Sequence, residues 1–430
     1  MKRFLFFFLL LLASLTQAAR LQLDGAKAWL SAQNTPLPKV LHLFEQRGVE
    51  VLMDPSITPE PISGSWENVE INRLIEQLVG ANDYLLEWKK TTGPLGDLFQ
   101  LASIRIYAHG NMSAARPLSK GRTLDIVTTT NGISYLRGEI MVAFKDGSTS
   151  DDLQALLKKL GGTVIEVIDP PGIYRIKLNE DLSVEKALEM AKQQESVVGT
   201  EPNYAYDRTE KNPVPLDGFS NALNLHLPSG KTAVAVFDSG IDPQYADLPF
   251  IRGTYNALDP SQPMSDPLGH GTLTAMIASG AITPLGATPA ETGVPVFAVR
   301  TFDENGYTTS DILMRALNYA AENGARIISM SWGTEVDSQF MKTILDYANA
   351  SGLTLYASAG NEPTGEPIFP AAYDSVIAVG GLAPDGSKWE QSNFGDFVQD
   401  YEPAVAEFGG KTYQGTSISC PLAASKDAQK

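Results

Sequence analysis

The chain has very little cysteine and histidine for its length. Its 430 residues include one cysteine, Cys420, and four histidines. A single thiol cannot form an internal disulfide. The histidines are scattered, at His42, His109, His226 and His270. No His-Glu-x-x-His pair places two ligands on one helix face, so neither a disulfide framework nor a zinc site is expected.

Positive charge is also scarce. The chain has 33 Lys and Arg against 50 Asp and Glu, a formal net charge of −17. Nucleic-acid binding requires basic side chains that neutralise phosphates, and anionic lipid attracts the same side chains. Neither nucleic acid nor an anionic membrane surface is therefore an expected partner. The apolar content of 43% is ample for a core, and the length predicts about three domains.

Long apolar runs are missing except at the N-terminus. Two basic residues precede an apolar run from Phe4 to Leu15, and Thr-Gln-Ala-Ala follows. As a helix this run spans roughly 18 Å, well short of a ~30 Å hydrocarbon core. The pattern predicts a cleaved signal peptide over residues 1–19, cut after Ala18 or Ala19, and export to the periplasm or the exterior. An uncleaved anchor is the alternative, and no membrane span is expected in the mature chain.

Residues 20–107 have the pattern of a small α+β domain. Two apolar helical faces alternate with strand-like segments at 49–53, 84–88 and 98–107. The faces consist of Leu37, Val40, Leu41 and Phe44, and of Ile71, Leu74, Ile75, Leu78 and Val79. VLHLFEQRGVEVLMDPSI and ISGSWENVEINRLIEQLVGANDYLLEW resemble the short N-terminal domain of secretins and TonB-dependent receptors. The resemblance implies a non-catalytic domain that binds a periplasmic or envelope partner. An unrelated α+β spacer is the alternative.

A polar stretch over 108–136 predicts a linker. Residues 137–208 then have the order β-α-β-β-α-β, which is the ferredoxin-like arrangement. That fold alone does not indicate a function. The polar segment TEKNPVPLDG that follows is expected to be an exposed, cleavable connection.

From about residue 231, buried-looking strands alternate with amphipathic helices. This alternation predicts a parallel sheet covered by helices on both faces. The predicted fold class is thus α/β, a parallel-sheet catalytic domain over 217–430 that two small α+β domains precede. Catalytic groups on such sheets lie at the carboxyl ends of strands, where the Asp of FDSG and the Asn of SAGN fall.

Four polar residues in separate motifs could act together. They are Asp238 in FDSG, His270 in GHGT, Asn361 in SAGN and Ser419 in GTSISCP. Each alone is more typical of a structural role: a turn or cap for Asp238, a turn for Asn361, a helix start for His270 and a polar loop for the serine motif. A nucleophilic serine, however, needs a base, a carboxylate that orients the base, and donors for the oxyanion. The four residues offer these functions together.

The segments VAVFDSGID, GHGTLTAMIASG, ASAGN and GTSISCP resemble the four signature segments of subtilisin-like serine proteases, the subtilases, in the same order along the chain. The resemblance covers roughly 217–424. It implies that Asp238 orients His270, that His270 is the general base, and that Ser419 is the nucleophile. The Asn361 side-chain amide and the Ser419 backbone N–H would form the oxyanion hole.

The resemblance also implies a peptide-binding strand. Ser331, Trp332 and Gly333 match the segment that pairs with extended substrate, although core packing is an alternative role for Trp332. Cys420 is expected to be a packing residue, with a redox role as the alternative. Calcium is common in the family, but no particular carboxylates match a site. Protein or peptide substrates are the expected partners.

The module at 137–208 would be an inhibitory and chaperoning prodomain, with autocleavage within 206–216. Two departures from the family pattern stand out. Leu273 occupies a position where the family usually has a second histidine, and the chain stops soon after GTSISCP. The short end predicts that residues 415–430 are poorly ordered and that activity is weak or absent. Two functions therefore remain open: an exported, autoprocessed serine endopeptidase, or a catalytically inactive, truncated subtilase that acts as a periplasmic protein-binding module.

Overall fold

The structure is a computed structural model that describes residues 19–118, 124–208, 214–216, 232–289, 293–408 and 410–430. The predicted signal peptide, apart from Ala19, and residues 209–213 of the predicted processing segment lie outside the described residues. Within the described residues, no helix has the length and apolar character that crossing a bilayer requires. The chain divides into two compact units, Met1–Lys120 with Thr149–Glu166, and Gly121–Ser148 with Val167–Lys430.

The N-terminal residues of the first unit form two small sheets with two helices. The elements are β1 (Arg20–Asp24), β2 (Lys27–Thr35), α1 (Leu37–Glu45), β3 (Glu50–Met53), β4 (Ile62–Glu70), α2 (Ile71–Val79), β5 (Asp83–Gly93), β6 (Gly96–Tyr107) and β7 (Arg116–Pro117). The strand orders are β1-β2-β4 and β5-β6-β3-β7. All nine apolar residues predicted to face inward on α1 and α2 are buried. The predicted α+β character of this region is confirmed.

The next elements follow the predicted ferredoxin-like order. They are β8 (Ile126–Thr128), β9 (Ser134–Phe144), α3 (Ser150–Leu160), β10 (Thr163–Ile168), β11 (Ile173–Lys177), α4 (Val184–Lys192) and β12 (Val197–Asp207). From β9 to β12 the order is β-α-β-β-α-β, and β9 pairs antiparallel with both β11 and β12. The stretch predicted as a linker is more structured than expected, because β7 pairs with β3 and β8 pairs with β9.

The remaining elements build an α/β domain. They are β13 (Ala233–Asp238), β14 (Ile251–Asn256), α5 (His270–Ala278), β15 (Val296–Arg300), β16 (Tyr307–Thr309), α6 (Ser310–Glu322), β17 (Ala325–Met330), α7 (Gln339–Ala350), β18 (Thr354–Ser358), β19 (Ile377–Leu382), β20 (Val398–Pro403), β21 (Val405–Phe408), β22 (Lys411–Gln414) and α8 (Thr416–Ala428). Seven strands form one sheet in the order β14-β15-β13-β17-β18-β19-β20, and every pair in it is parallel.

The composition of strand β13 explains why the sheet is buried on both faces. Its sequence, AVAVFD, is an almost continuous apolar run, and all its residues except the first are buried. Strands covered by helices on both faces have this composition, whereas a strand with one wet face would alternate. The strand ends at Asp238, so this carboxylate lies where the carboxyl ends of the parallel strands meet. The predicted α/β fold class with a parallel sheet is confirmed.

The C-terminal segment differs from its prediction. Residues 415–430 were expected to be poorly ordered, but α8 is a helix of 13 residues that begins at Thr416. Cys420, Ala423 and Ala424 pack with apolar residues of β13 and α5, and Lys426 forms an ion pair with Glu402 at 2.6 Å. The prediction treated the segment as an isolated short helix, whereas helices in proteins are stabilised chiefly by tertiary packing. Its small side chains permit that close packing.

Candidate active site

Asp238 and His270 form a buried pair at the carboxyl ends of the strands of the parallel sheet. Nδ1 of His270, the first residue of α5, lies 2.8 Å from each carboxylate oxygen of Asp238. The backbone N–H of Ser239 donates to Asp238 at 2.7 Å, and the hydroxyl of Thr274 donates to it at 3.2 Å. The two members of the pair are 1% and 3% exposed. A carboxylate in this position orients the imidazole and stabilises its protonated form.

Glycines allow α5 to begin at this place. Gly269, the N-cap residue, has φ 69°, and a Cβ there would lie 2.0 Å from the carbonyl oxygen of Val214. A Cβ on Gly271 would lie 2.3 Å from the carbonyl oxygen of Gly240. Only glycine accepts the left-handed conformation at low cost and leaves room for both backbones. The glycines that flank His270 therefore set its approach to Asp238.

Asp266 holds the first turn of α5 against the loop after β13. Its carboxylate accepts hydrogen bonds from the Ser239 hydroxyl at 2.7 Å and the Gly269 N–H at 2.8 Å. It also accepts from the N–H and hydroxyl of Thr272, at 2.7 and 2.6 Å. Helix N-termini have backbone donors without intrahelical partners and favour negative charge. Asp266 was not among the predicted site residues, although an acidic residue three positions before the Gly-His-Gly segment at a helix start was a usable signal.

The environment of Asp238 favours its ionised form. Burial alone would raise the pKa of this carboxyl. The charge and hydrogen bond of His270, the Arg208 guanidinium and the Ser239 N–H outweigh burial and hold the pKa below its ordinary value. Nη1 of Arg208 lies 3.8 Å from Oδ1 of Asp238. Asp238 thus remains negatively charged at neutral pH, as a partner of the imidazole must be.

Asn361 lies beyond the end of β18 and contacts the start of α8. Its Oδ1 accepts hydrogen bonds from the Thr416 N–H at 2.8 Å and the Thr416 hydroxyl at 2.9 Å. These two bonds fix the orientation of the amide, with Nδ2 as its donor end. The predicted oxyanion donor is therefore next to the first turn of α8.

The structure does not support the prediction that Ser419 is the nucleophile. The Ser419 hydroxyl donates to the backbone carbonyl oxygens of Glu402 at 2.8 Å and Pro403 at 3.3 Å, and the residue is fully buried. In an α-helix, two residues correspond to about 200° of rotation, so Ser417 lies on the other side of α8. Ser417 directly follows Thr416, which is bonded to Asn361, and is 5% exposed. GTSISCP contains both serines, and the side of α8 on which each one lies distinguishes them.

The predicted peptide-binding residues follow β17. Trp332 is 1% exposed, stacks on Tyr206 with ring centroids 6.1 Å apart, and meets Phe302 edge to face. Ser331 Oγ and Trp332 Nε1 are buried and have no hydrogen-bond partner within the part of the chain that the structure describes. A Cβ on Gly333 would lie 2.3 Å from Ile368. The core-packing role considered for Trp332 is therefore present, and substrate pairing by this segment stays a prediction.

Three further expectations concern Cys420, Leu273 and metal. Burial raises the pKa of the Cys420 thiol to about 12, and its Sγ lies 3.4 Å from the Ser329 hydroxyl, as suits a packing residue. Leu273, which replaces the family's second histidine, is buried in an apolar cluster. Among the described residues, no group of three or more His, Cys, Asp or Glu could hold a metal ion. Calcium therefore stays without an assigned site among those residues.

The chain is similar to known proteins of one family. Residues 229–429 match the subtilase family, and residues 121–203 match the fervidolysin N-terminal prodomain. The subtilisin of Bacillus pumilus is 30% identical over 198 residues, which cover 44% of this chain and 72% of that protein. The chain belongs to the subtilase family.

Two further proteins are similar to this subtilase over a larger share of its chain. The thermophilic serine proteinase of Bacillus sp. (strain AK1) is 28% identical over 311 residues, covering 67% of the chain and 76% of that protein. The crystal structure of fervidolysin from Fervidobacterium pennivorans, a keratinolytic enzyme related to subtilisin, superposes with a TM-score of 0.55 at 22% identity. That match covers 72% of this chain and 56% of fervidolysin. The chain thus spans little more than half of that solved structure, and the likeness shows a shared fold.

In this subtilase, polar side chains join the prodomain strands to the helices of the α/β domain. Glu201 of β12 accepts hydrogen bonds from the Ser338 hydroxyl and the Gln339 N–H, both at 2.7 Å, at the start of α7. Asn203 of β12 donates to Asp311 in the first turn of α6 at 2.8 Å. Glu201 accepts from a backbone N–H at the start of α7 that has no acceptor within the helix, whereas Asn203 is a donor to the Asp311 carboxylate at the start of α6. The contact between β12 and the α/β domain is therefore specific as well as apolar.

Proposed function

We propose that this subtilase is an exported serine endopeptidase, made as a proenzyme that cleaves its own chain, with Ser417 as the nucleophile. The observation that carries the proposal is the Asp238–His270 pair at 2.8 Å, together with the hydrogen bonds from Thr416 to Asn361. The second set of bonds holds the residue before Ser417 against the proposed oxyanion donor.

The proposed reaction proceeds through an acyl-enzyme. His270 takes the proton of the Ser417 hydroxyl as Oγ attacks the scissile carbonyl carbon, and Asp238 stabilises the resulting imidazolium. His270 then gives this proton to the leaving amine as the C–N bond breaks. A water molecule, deprotonated by the same imidazole, hydrolyses the ester and restores the Ser417 hydroxyl. Atoms and charges balance over the two steps.

The tetrahedral intermediates place negative charge on the former carbonyl oxygen. Asn361 Nδ2 and the Ser417 backbone N–H are the proposed donors to that oxygen. Ser417 is the second residue of α8, so its N–H belongs to the positive end of the helix. Fixed donors of this kind stabilise the transition state more than the ground state, because they are aimed at charge that develops during the reaction.

The finer features of the proposal rest on sequence patterns and on the family matches. Residues 1–19 are proposed as a signal peptide, 137–208 as the prodomain, 217–430 as the peptidase domain, and 206–216 as the region of autocleavage. The two family matches, over 121–203 and 229–429, support the prodomain and peptidase assignments. Residues 20–107 are proposed to bind an envelope partner, in keeping with their resemblance to secretin and TonB-receptor N-terminal domains.

Labelling with a fluorophosphonate probe tests the proposal. We expect the full chain to carry the probe on Ser417, as located by mass spectrometry of the labelled peptide. Ser417→Ala should abolish labelling, while Ser419→Ala, the matched control on the other side of α8, should retain it. A label on Ser419 would refute the nucleophile assignment. A folded chain that neither labels nor hydrolyses casein would favour the inactive binding module instead.

A further inference from the structure

The end of the prodomain enters the α/β domain as an extended strand. Ala205, Tyr206 and Asp207 of β12 pair antiparallel with β16, and the N–H of Arg208 continues the ladder to the carbonyl oxygen of Gly306 at 2.9 Å. Strand addition of this kind is a general mode of peptide recognition, in which backbone bonds give affinity and alternate side chains give specificity. The specificity of this segment therefore depends on what its alternate side chains meet.

Tyr206 fills a closed aromatic site. It is fully buried, its hydroxyl lies 2.9 Å from the Ser310 hydroxyl, and its ring stacks on Trp332 at an interplanar angle of 27°. Ser310 and Trp332 also line a small apolar cavity, with Met314 and Met341. A stacked ring with a bonded hydroxyl has both an apolar body and a polar tip satisfied. The site therefore fits tyrosine in particular among the aromatic residues.

Arg208 occupies a second site two residues further on. Alternate residues of a strand point to the same face, so Arg208 follows Tyr206 into the α/β domain. It is 1% exposed, and its guanidinium lies 3.8 Å from the Asp238 carboxylate. A buried cation requires compensating negative charge, which the Asp238 carboxylate supplies. Asp207, between the two, is half-buried on the opposite face.

The segment thus reaches the catalytic pair with two anchored side chains. We infer that the cleft selects substrates in which a tyrosine is followed, two residues later, by a basic residue, and that cleavage falls C-terminal to that basic residue. The inference rests on the proposed function and names its substrate class. The segment Tyr206-Asp207-Arg208 is then the chain's own version of the preferred substrate, and Ser310 is the residue that distinguishes tyrosine from phenylalanine.

Peptides with the sequence of residues 200–216, TEPNYAYDRTEKNPVPL, test the inference on the full chain after it has processed itself. Tyr206→Ala in the peptide should lower kcat/KM by about 10²-fold, because the aromatic site is left empty. Arg208→Ala should lower it at least about tenfold, while Arg208→Lys keeps the charge and should lose less. Asp207→Asn is the matched control and should change kcat/KM little. Equal rates for all of these peptides would overturn the inference.

A cycle between enzyme and peptide tests the role of Ser310. The unaltered enzyme should cleave the tyrosine peptide about three- to tenfold faster than its Tyr206→Phe version, since the phenylalanine leaves Ser310 without its partner. Ser310→Ala in the enzyme should remove this preference. A preference for the tyrosine peptide that persists in the Ser310→Ala enzyme would overturn the role assigned to Ser310. If that enzyme variant does not fold, the peptide series alone tests the preference for a tyrosine followed by a basic residue.

Probe labelling and casein hydrolysis on the same preparation separate the substrate class from the proposed function. A preparation that labels on Ser417 and hydrolyses casein, yet cleaves every peptide alike, would leave the proposed function intact and refute the substrate class. A preparation that does neither would refute both.

Discussion

Nη1 of Arg175 lies 2.8 Å from the carboxylate of Asp311, so a cation from β11 meets an anion in the first turn of α6. Arg175 also bonds Glu139 at 2.8 Å, and the three side chains are nearly or fully buried. Asn203 links the same two carboxylates through its amide. The strands of the prodomain and the helix of the α/β domain therefore share one buried charge network.

Removing the cation of this network should be costly. Arg175→Ala leaves Asp311 and Glu139 with only their more exposed partners, Arg315 at 3.2 Å and Lys177 at 3.7 Å. Because the most buried cation is lost, we expect a loss of up to about 3–5 kcal/mol in the free energy of unfolding. The melting temperature of the unprocessed chain, kept intact by Ser417→Ala, measures the loss. Arg137→Ala is the control, because Arg137 pairs with Asp125 at an exposed site where ion pairs contribute little. A similar small effect of both changes would show that the network does not stabilise the unprocessed chain.

Asn361→Ala should reduce catalysis without unfolding the protein. It removes the proposed side-chain donor to the oxyanion, and we expect kcat to fall by about 10²–10³, the magnitude known for losing such a donor in subtilisin. Peptide hydrolysis measures kcat, and the melting temperature monitors the fold, since Asn361 also accepts two bonds from Thr416. An unchanged kcat would remove Asn361 from the mechanism.

Asp266→Ala should affect both stability and catalysis. The change leaves donors at the start of α5 without their acceptor, at about 1–3 kcal/mol for a buried group, and loosens the turn that positions His270. We expect a lower melting temperature and slower fluorophosphonate labelling. Asp385→Ala is the control, because Asp385 accepts similar bonds from Ser387 in an exposed turn. Labelling at the normal rate would show that His270 is positioned without Asp266.

Much of this architecture is local enough to be read from sequence. The inward faces of α1 and α2 follow from the periodicity of apolar residues, and Asp238 and His270 fall where a buried strand ends and a glycine-flanked helix begins. Those features depend on a few neighbouring residues. The order of elements from β9 to β12 is predictable for the same reason.

Other features depend on contacts between distant parts of the chain. Ser417 and Ser419 occupy one motif, and the choice between them needs the phase of α8 and the position of the Glu402 carbonyl. The order of α8 comes from packing against β13 and α5, which a short isolated segment does not reveal. The pairing of β12 with β16, and with it the burial of Arg208, joins residues about a hundred positions apart. No local pattern predicts such a contact.

Glu201 should make the unprocessed chain sensitive to pH. Burial raises the pKa of this carboxyl above its ordinary value, against the hydrogen bonds from Ser338 and Gln339 that lower it. A carboxyl whose pKa is raised by folding takes up its proton more readily in the folded state. Its contribution to stability is therefore full below the unfolded pKa, near 4.5, and is lost as the pH rises through the folded pKa. Glu201→Gln removes this titration and keeps a side-chain oxygen that can accept a hydrogen bond.

We therefore expect the difference in melting temperature between the Glu201 chain and its Glu201→Gln variant, both carrying Ser417→Ala, to move in favour of Glu201 as the pH falls from 7 to 5. Other carboxyl groups titrate in the same range, but they are common to both chains and cancel in the difference. Glu195→Gln is the matched control, because the Glu195 side chain is 99% exposed, and its difference should stay constant. A Glu201 difference that is also constant, or that moves the other way, would mean that burial does not govern the ionisation of this group where β12 meets α7.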